Sequence, residues 1–187
     1  MKEKLFVKRR KEQLHQPPGT LTQLKTTQTS PRITVITYDA IHYDEKALSD
    51  GTHLSNDNRS GGVTWINIDG IHDSDIIREI GERFEIHPLY LEDIFVTSGR
   101  SKMELANDQL LMILRMFSST EDALQSEQVS FFLRGNFLIT FQEREGDVFD
   151  PIRRRIKTAG GRIRRMGADS VSYTHLRAHE TVLDLVC

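Results

Sequence analysis

The sequence predicts an α/β domain with a largely antiparallel portion of sheet, and three observations lead there. The β-branched runs at 33–38 (ITVITY) and 63–68 (VTWINI) read as strands. Ile76, Ile77, Ile80 and Phe84 recur at the spacing that gives a helix one apolar face. Two further pairs of apolar runs flank short turn signals, which is the pattern of two β-hairpins.

Taken in order, residues 1–32 are polar, contain Pro17, Pro18 and Pro31, and read as a mobile basic arm. After the first strand, the stretch 44–62 is rich in Ser, Asn, Asp and Gly and reads mostly as loop, with a short helical turn over 45–48. Asp73 or Ser74 caps a helix over 75–85. His87-Pro88 stops it and starts a second, because proline is tolerated at the first helical position, and that helix carries Leu89, Leu91, Glu92, Asp93 and Ile94. The first hairpin pairs 102–106 with 109–117 around Asn107-Asp108. The second pairs 127–133 with 137–142 around Arg134-Gly135-Asn136, beyond a polar link at 118–126. Asp150-Pro151 supplies an acidic cap and a proline for a third helix that Gly160-Gly161 ends, and a new helix is expected near Arg162.

Composition narrows the function. Hydrophobic residues make up 37% and charged residues 28% of 187, which suits a folded core and not a disordered chain. The longest uninterrupted apolar run is 110–114, whereas a membrane-spanning helix needs roughly 20 mostly apolar residues, so none is expected here. The charged N-terminus lacks the apolar stretch of a signal peptide, and the lone Cys187 provides neither a disulfide nor a thiolate cluster; both suit a soluble, cytoplasmic setting. Residues 34–150 carry nine basic and twenty-two acidic side chains, while 1–33 carry eight basic and two acidic, and 151–165 seven basic and none acidic. An acidic body between basic flanks argues against nucleic acid and favours divalent cations or basic partners.

No segment has the spacing of a phosphate loop or a nucleophile elbow, so an enzyme is not expected. His175 and His179 stand four apart, a spacing that would put two imidazoles on one helical face, yet a pair is half a zinc site. Glu92 and Asp93 are adjacent carboxylates on the short second helix. Mg²⁺ takes one or two carboxylates and keeps several waters, and two helical neighbours about 100° apart serve two nearby sites or one with intervening water. Taken bare, such a pair also suits a solvated or salt-bridged helix end. The basic residues Arg153, Arg154, Arg155, Lys157, Arg162, Arg164 and Arg165 suit either a solvated face or a docking surface for an acidic helix or lipid headgroups.

Several segments together resemble the N-terminal cytoplasmic domain of CorA-type magnesium transporters. They are Pro17-Pro18-Gly19-Thr20, Thr64-Trp65-Ile66-Asn67-Ile68 with Gly70-Ile71-His72, Ile86-His87-Pro88-Leu89 with Leu91-Glu92-Asp93-Ile94, Ser126-Glu127-Gln128-Val129-Ser130, and Phe141-Gln142-Glu143 with 146–151 (GDVFDP). The resemblance runs in order from about residue 17 to Asp169. It implies a mixed sheet packed between helices over 33–169, and a full-length homopentamer at the cell membrane that passes Mg²⁺ and often Co²⁺ through C-terminal membrane helices. It implies, too, regulatory Mg²⁺ held between neighbouring subunits near Glu92 and Asp93, with no small-molecule substrate.

Two departures stand out. Where the family usually shows Arg-Pro-Lys, this chain has Arg100-Ser101-Lys102. Residues 170–187 do not continue the family pattern, place Arg177 where a carboxylate is expected, and look like translated adapter sequence; His175, His179 and Cys187 then carry no meaning. The expectation is a fragment without stalk or pore. The alternatives are a CorA-like zinc transporter domain, a free-standing soluble metal-binding or interaction module, and an enzyme acting through Glu143, Asp147 or Asp150.

Overall fold

The computed structural model describes residues 31–48, 54, 61–119, 124–144, 149–160 and 162–174. The arm assigned to 1–32 lies outside them up to residue 30, as do Asp147, His175, Arg177, His179 and Cys187.

Seven strands form one sheet. They are β1 (Arg32–Tyr38), β2 (Tyr43–Leu48), β3 (Val63–Asp69), β4 (Lys102–Ala106), β5 (Gln109–Ser119), β6 (Leu124–Arg134) and β7 (Phe137–Gln142), in the order β2-β1-β3-β7-β6-β5-β4. Every neighbouring pair is antiparallel except β3 and β7, which run parallel. A parallel pair needs a long crossover. Here it consists of helices α1 (Ser74–Arg83) and α2 (Pro88–Phe95), which carry the chain to the far edge, and the β4-β5-β6 meander that brings it back.

Helices cover both faces. Ile77 and Ile80 of α1 and Leu91, Ile94 and Phe95 of α2 pack with Ile66, Ile68, Phe132, Ile139 and Phe141 of the sheet. On the opposite face, Ile152 and Ile156 of α3 (Asp150–Lys157) join Trp65, Phe131, Phe149, Ile163 and Val171. β3 is therefore buried along its whole length, as a central strand covered on both sides should be. The mixed sheet between helices is the fold the sequence predicts.

Three expectations need correction. Residues 45–48 are strand, not helix or loop. Asp39 accepts hydrogen bonds from the backbone N–H of Ile41 (2.7 Å) and His42 (2.6 Å), which turns the chain so that β2 pairs with β1. As an edge strand with four exposed residues in its middle, β2 shows no alternation to read. The polar link is shorter than expected, since β5 runs to Ser119 and β6 starts at Leu124. Phe149, not Asp150, is the N-cap of α3, and the next helix begins at Asp169 and not near Arg162, with a 3-10 turn (Ile163–Arg165) before it.

Gly81 sets how closely α1 approaches α2. A Cβ there would collide with Leu91 Cδ1 and stand 3.1 Å from its Cγ, and Leu91 is buried. Gly81→Val should destabilise the domain by about 1–3 kcal/mol through overpacking, read as a lower urea midpoint.

Candidate metal centre on α2

Helix α2 is short and fixed by its ends. His87 is the N-cap, its Nδ1 accepting from Leu89 N–H (3.2 Å), and Pro88 occupies the first turn. Tyr90, Leu91, Ile94 and Phe95 are buried, which turns Glu92 and Asp93 toward the rim of the domain, each partly exposed. Both carboxylates sit in the C-terminal half, where helix carbonyls already concentrate negative charge, and the last turn has no basic residue of its own.

Three side chains from the sheet compensate. The buried amide of Gln128 on β6 donates from Nε2 to the carbonyl oxygens of Asp93 (3.2 Å) and Ile94 (2.9 Å). Arg115 of β5 donates to the carbonyl oxygens of Thr97 and, at 3.2 Å, Gly99, fixing the segment between α2 and β4. Lys102, the first residue of β4, donates from Nζ to Asp93 Oδ2 and, at 2.9 Å, to Glu104 Oε1. Burial favours the neutral amine, but the hydrogen bonds to Asp93 and Glu104 outweigh it and raise the Lys102 pKa, so the ammonium stays charged.

The two candidate ligands are thus neighbours on α2, both partly exposed, with Asp93 held by Lys102. Among the described residues no group of three His, Cys, Asp or Glu side chains forms a closed metal cage. Two carboxylates offer oxygen donors without imidazole or thiolate, which fits a hard cation that keeps its waters better than zinc. Lys102, Gln128 and Arg115 were not legible as parts of this site. They stand 9 to 35 residues from Asp93 or 16 to 18 from the carbonyls they hold, and no local spacing marks them.

The other candidates are tied into the scaffold. Glu143 accepts from the backbone N–H of Gln128 (3.2 Å), and Asp150 pairs with Arg153 (3.1 Å). Arg153 also stacks on Trp65, and Arg164 donates to the carbonyl oxygens of Ile156 (2.6 Å) and Lys157 (2.8 Å) at the end of α3. Part of the basic flank is therefore structural. Glu127, beside Gln128, has its pKa raised, first by burial and then by Glu143 and Asp69, against the pull of Arg144.

Two measurements check these assignments. Gln128→Leu leaves two α2 carbonyls without their amide donor and should cost about 1–3 kcal/mol, with faster amide exchange over 96–99. Glu127 binds its proton more tightly folded than unfolded, so its contribution to stability is present below the unfolded pKa and lost as pH rises through the folded one. Glu127→Gln should therefore raise the urea midpoint at pH 7 and leave it unchanged at pH 3.

Comparison with known proteins bears on the whole arrangement. A family model described as "CorA-like Mg2+ transporter protein" matches residues 60–178. The cobalt/magnesium transport protein CorA of Thermotoga maritima is 39% identical over 164 residues, covering 87% of this chain and 47% of that protein. The full-length CmaX protein superposes with a TM-score of 0.67 at 11% identity, over 87% of this chain and 49% of that one. The complete CorA magnesium transporter from Methanocaldococcus jannaschii does so with a TM-score of 0.55 at 13% identity, over 86% and 49%. At such identities the two structures speak for the fold alone. The chain spans about half the length of each of these relatives. No helix among the described residues is long and apolar enough to cross a membrane. With most of its length matched by the family model, and with the fold that two structures share, this chain belongs to the CorA-like Mg2+ transporter family.

Proposed function

We propose that this domain is the cytoplasmic Mg²⁺-sensing unit of a CorA-type divalent-cation transporter, and that Glu92 and Asp93 hold regulatory Mg²⁺ between neighbouring copies in a pentamer. The observation that carries the reading is the position of the pair. Two adjacent carboxylates stand at the negative end of a helix pinned by the sheet, and Lys102 is the cation that meets Asp93 there.

Such a site is an incomplete cage. One or two carboxylates and several waters satisfy Mg²⁺ only loosely, so further oxygen ligands from an adjacent subunit would complete the set and make the ion a bridge. Mg²⁺ when bound supplies two positive charges between acidic surfaces. The residues of this chain do the rest. Gln128 and Arg115 hold α2 and the following segment in place, and the carboxylates repel their counterparts when the ion is lost. That repulsion loosens the assembly and favours the open pore, whose cargo is Mg²⁺ or Co²⁺. Oxygen-only donors favour this reading over the zinc alternative.

The test replaces Glu92 and Asp93 together by Ala in a full-length transporter carrying this domain, with metal uptake followed as internal Mg²⁺ rises. The Mg²⁺ concentration needed for closure should rise roughly tenfold or more, equivalent to about 1.4 kcal/mol of lost binding. An unchanged closing concentration overturns the assignment.

A further inference from the structure

We propose that Lys102 is a built-in competitor for the Asp93 carboxylate and sets the concentration at which a divalent cation takes its place. This rests on the reading of Glu92 and Asp93 as a Mg²⁺ site and adds the group that tunes it. The Lys102 ammonium touches Asp93 Oδ2 and lies 2.9 Å from Glu104 Oε1, so one lysine spans a carboxylate of α2 and another on its own strand. An ammonium and a metal ion compete for the oxygens of one carboxylate, and Lys102 already holds Oδ2. Sharing one oxygen would also press two positive charges together, so entry of metal on Asp93 Oδ2 requires Lys102 to leave.

The structure supplies both the ease of leaving and the place to go. Lys102 and Asp93 side chains are 31% and 36% exposed, which keeps the pair weak and its exchange with solvent ions open. Glu104 already holds the same ammonium and lines an open cleft of about 820 Å³ between the α1–α2 corner and β4. Release from Asp93 therefore leaves the lysine paired with Glu104 and not stranded. The backbone need not move, because the register of Lys102 opposite Ile113 fixes its Cα while the four-carbon stem swings.

Mn²⁺ serves as a paramagnetic probe for the test, with amide line broadening in the complete 187-residue chain as the readout. In the wild type, broadening should centre on 92–94 and 102–104 and disappear in Asp93→Asn. Lys102→Met should lower the Mn²⁺ midpoint by roughly two- to fivefold, the range a pair this exposed can supply. Lys102→Arg keeps the charge and should not lower it. The Lys102 ammonium resonance of the wild type should also shift in step with added Mg²⁺, and in Asp93→Asn it should not. Asp93-dependent broadening with an unchanged midpoint in Lys102→Met overturns the role of Lys102 and leaves the metal site standing. A lower midpoint with a stationary ammonium resonance shows an effect of charge at a distance and overturns direct competition. Absence of broadening around α2 in every variant overturns the role of Lys102 as a competitor within this chain, and the inter-subunit reading is then decided by the uptake experiment on the full-length transporter.

Discussion

The parallel pairing of β3 with β7 is the constraint from which the other elements take their places. A buried polar seam runs along it on the α3 side. Trp65 Nε1 donates to Thr140 Oγ1 (2.9 Å), Thr140 Oγ1 donates to Asn67 Oδ1 (2.6 Å), and Asn67 and Gln142 both donate to Asp69 Oδ1 at 2.8 and 2.7 Å. A slip of one residue would turn these groups onto the opposite face and strand them without partners, so the seam specifies register as well as adding stability. Because the two strands are parallel, the chain between them must cross back to the same end of the sheet, and here it travels to the far edge and returns. That journey lays α2 over the sheet and brings β4 back beneath its C-terminal end, which is how Asp93 meets Lys102.

The sheet also separates the charges. Glu92, Asp93 and Lys102 gather at the α1–α2 side, while the basic residues of α3 lie on the other, with Trp65 and Phe149 between as an edge-to-face pair. Several of those basic groups have internal duties. Arg164 satisfies two carbonyls that the last turn of α3 leaves open, and Arg155 donates to the Gly160 carbonyl (3.3 Å). The uneven charge along the chain is thus partly a record of helix termination. The acidic pair on α2 stands where anions oppose the helix dipole, and Lys102 offsets this at Asp93.

What could be read from the chain follows from how local each signal is. The start of α1 depends on Asp73, whose side chain accepts from two N–H groups within three residues, and the start of α2 on His87-Pro88, so both helices are legible. The hairpin at Asn107 is legible because Asn tolerates the left-handed conformation it adopts there, with φ of 55°. β2 is not. Its Glu-Lys-Ala core favours helix, and only pairing with β1 overrides that preference. Gln128 is silent for the same reason, since its contact with α2 spans more than thirty residues. Glu92 and Asp93 stand out as adjacent carboxylates and match a family motif, but their local pattern alone also fits an ordinary solvated helix end.

The magnitude of the Lys102–Asp93 contact decides what it can do. A pair with both side chains about one-third exposed contributes at most about 1 kcal/mol, whereas millimolar binding of an ion corresponds to about 4 kcal/mol. A contact of that size could bias a metal site on Asp93 without closing it. Full burial would reverse the balance, because separating a buried pair costs about 3–5 kcal/mol and would leave an uncompensated charge behind. Exposure at the rim keeps the cost of exchange low, and the same rim position leaves both carboxylates partly open to solvent. Both properties trace to the short helix that buries four residues of eight and turns the acidic pair outward.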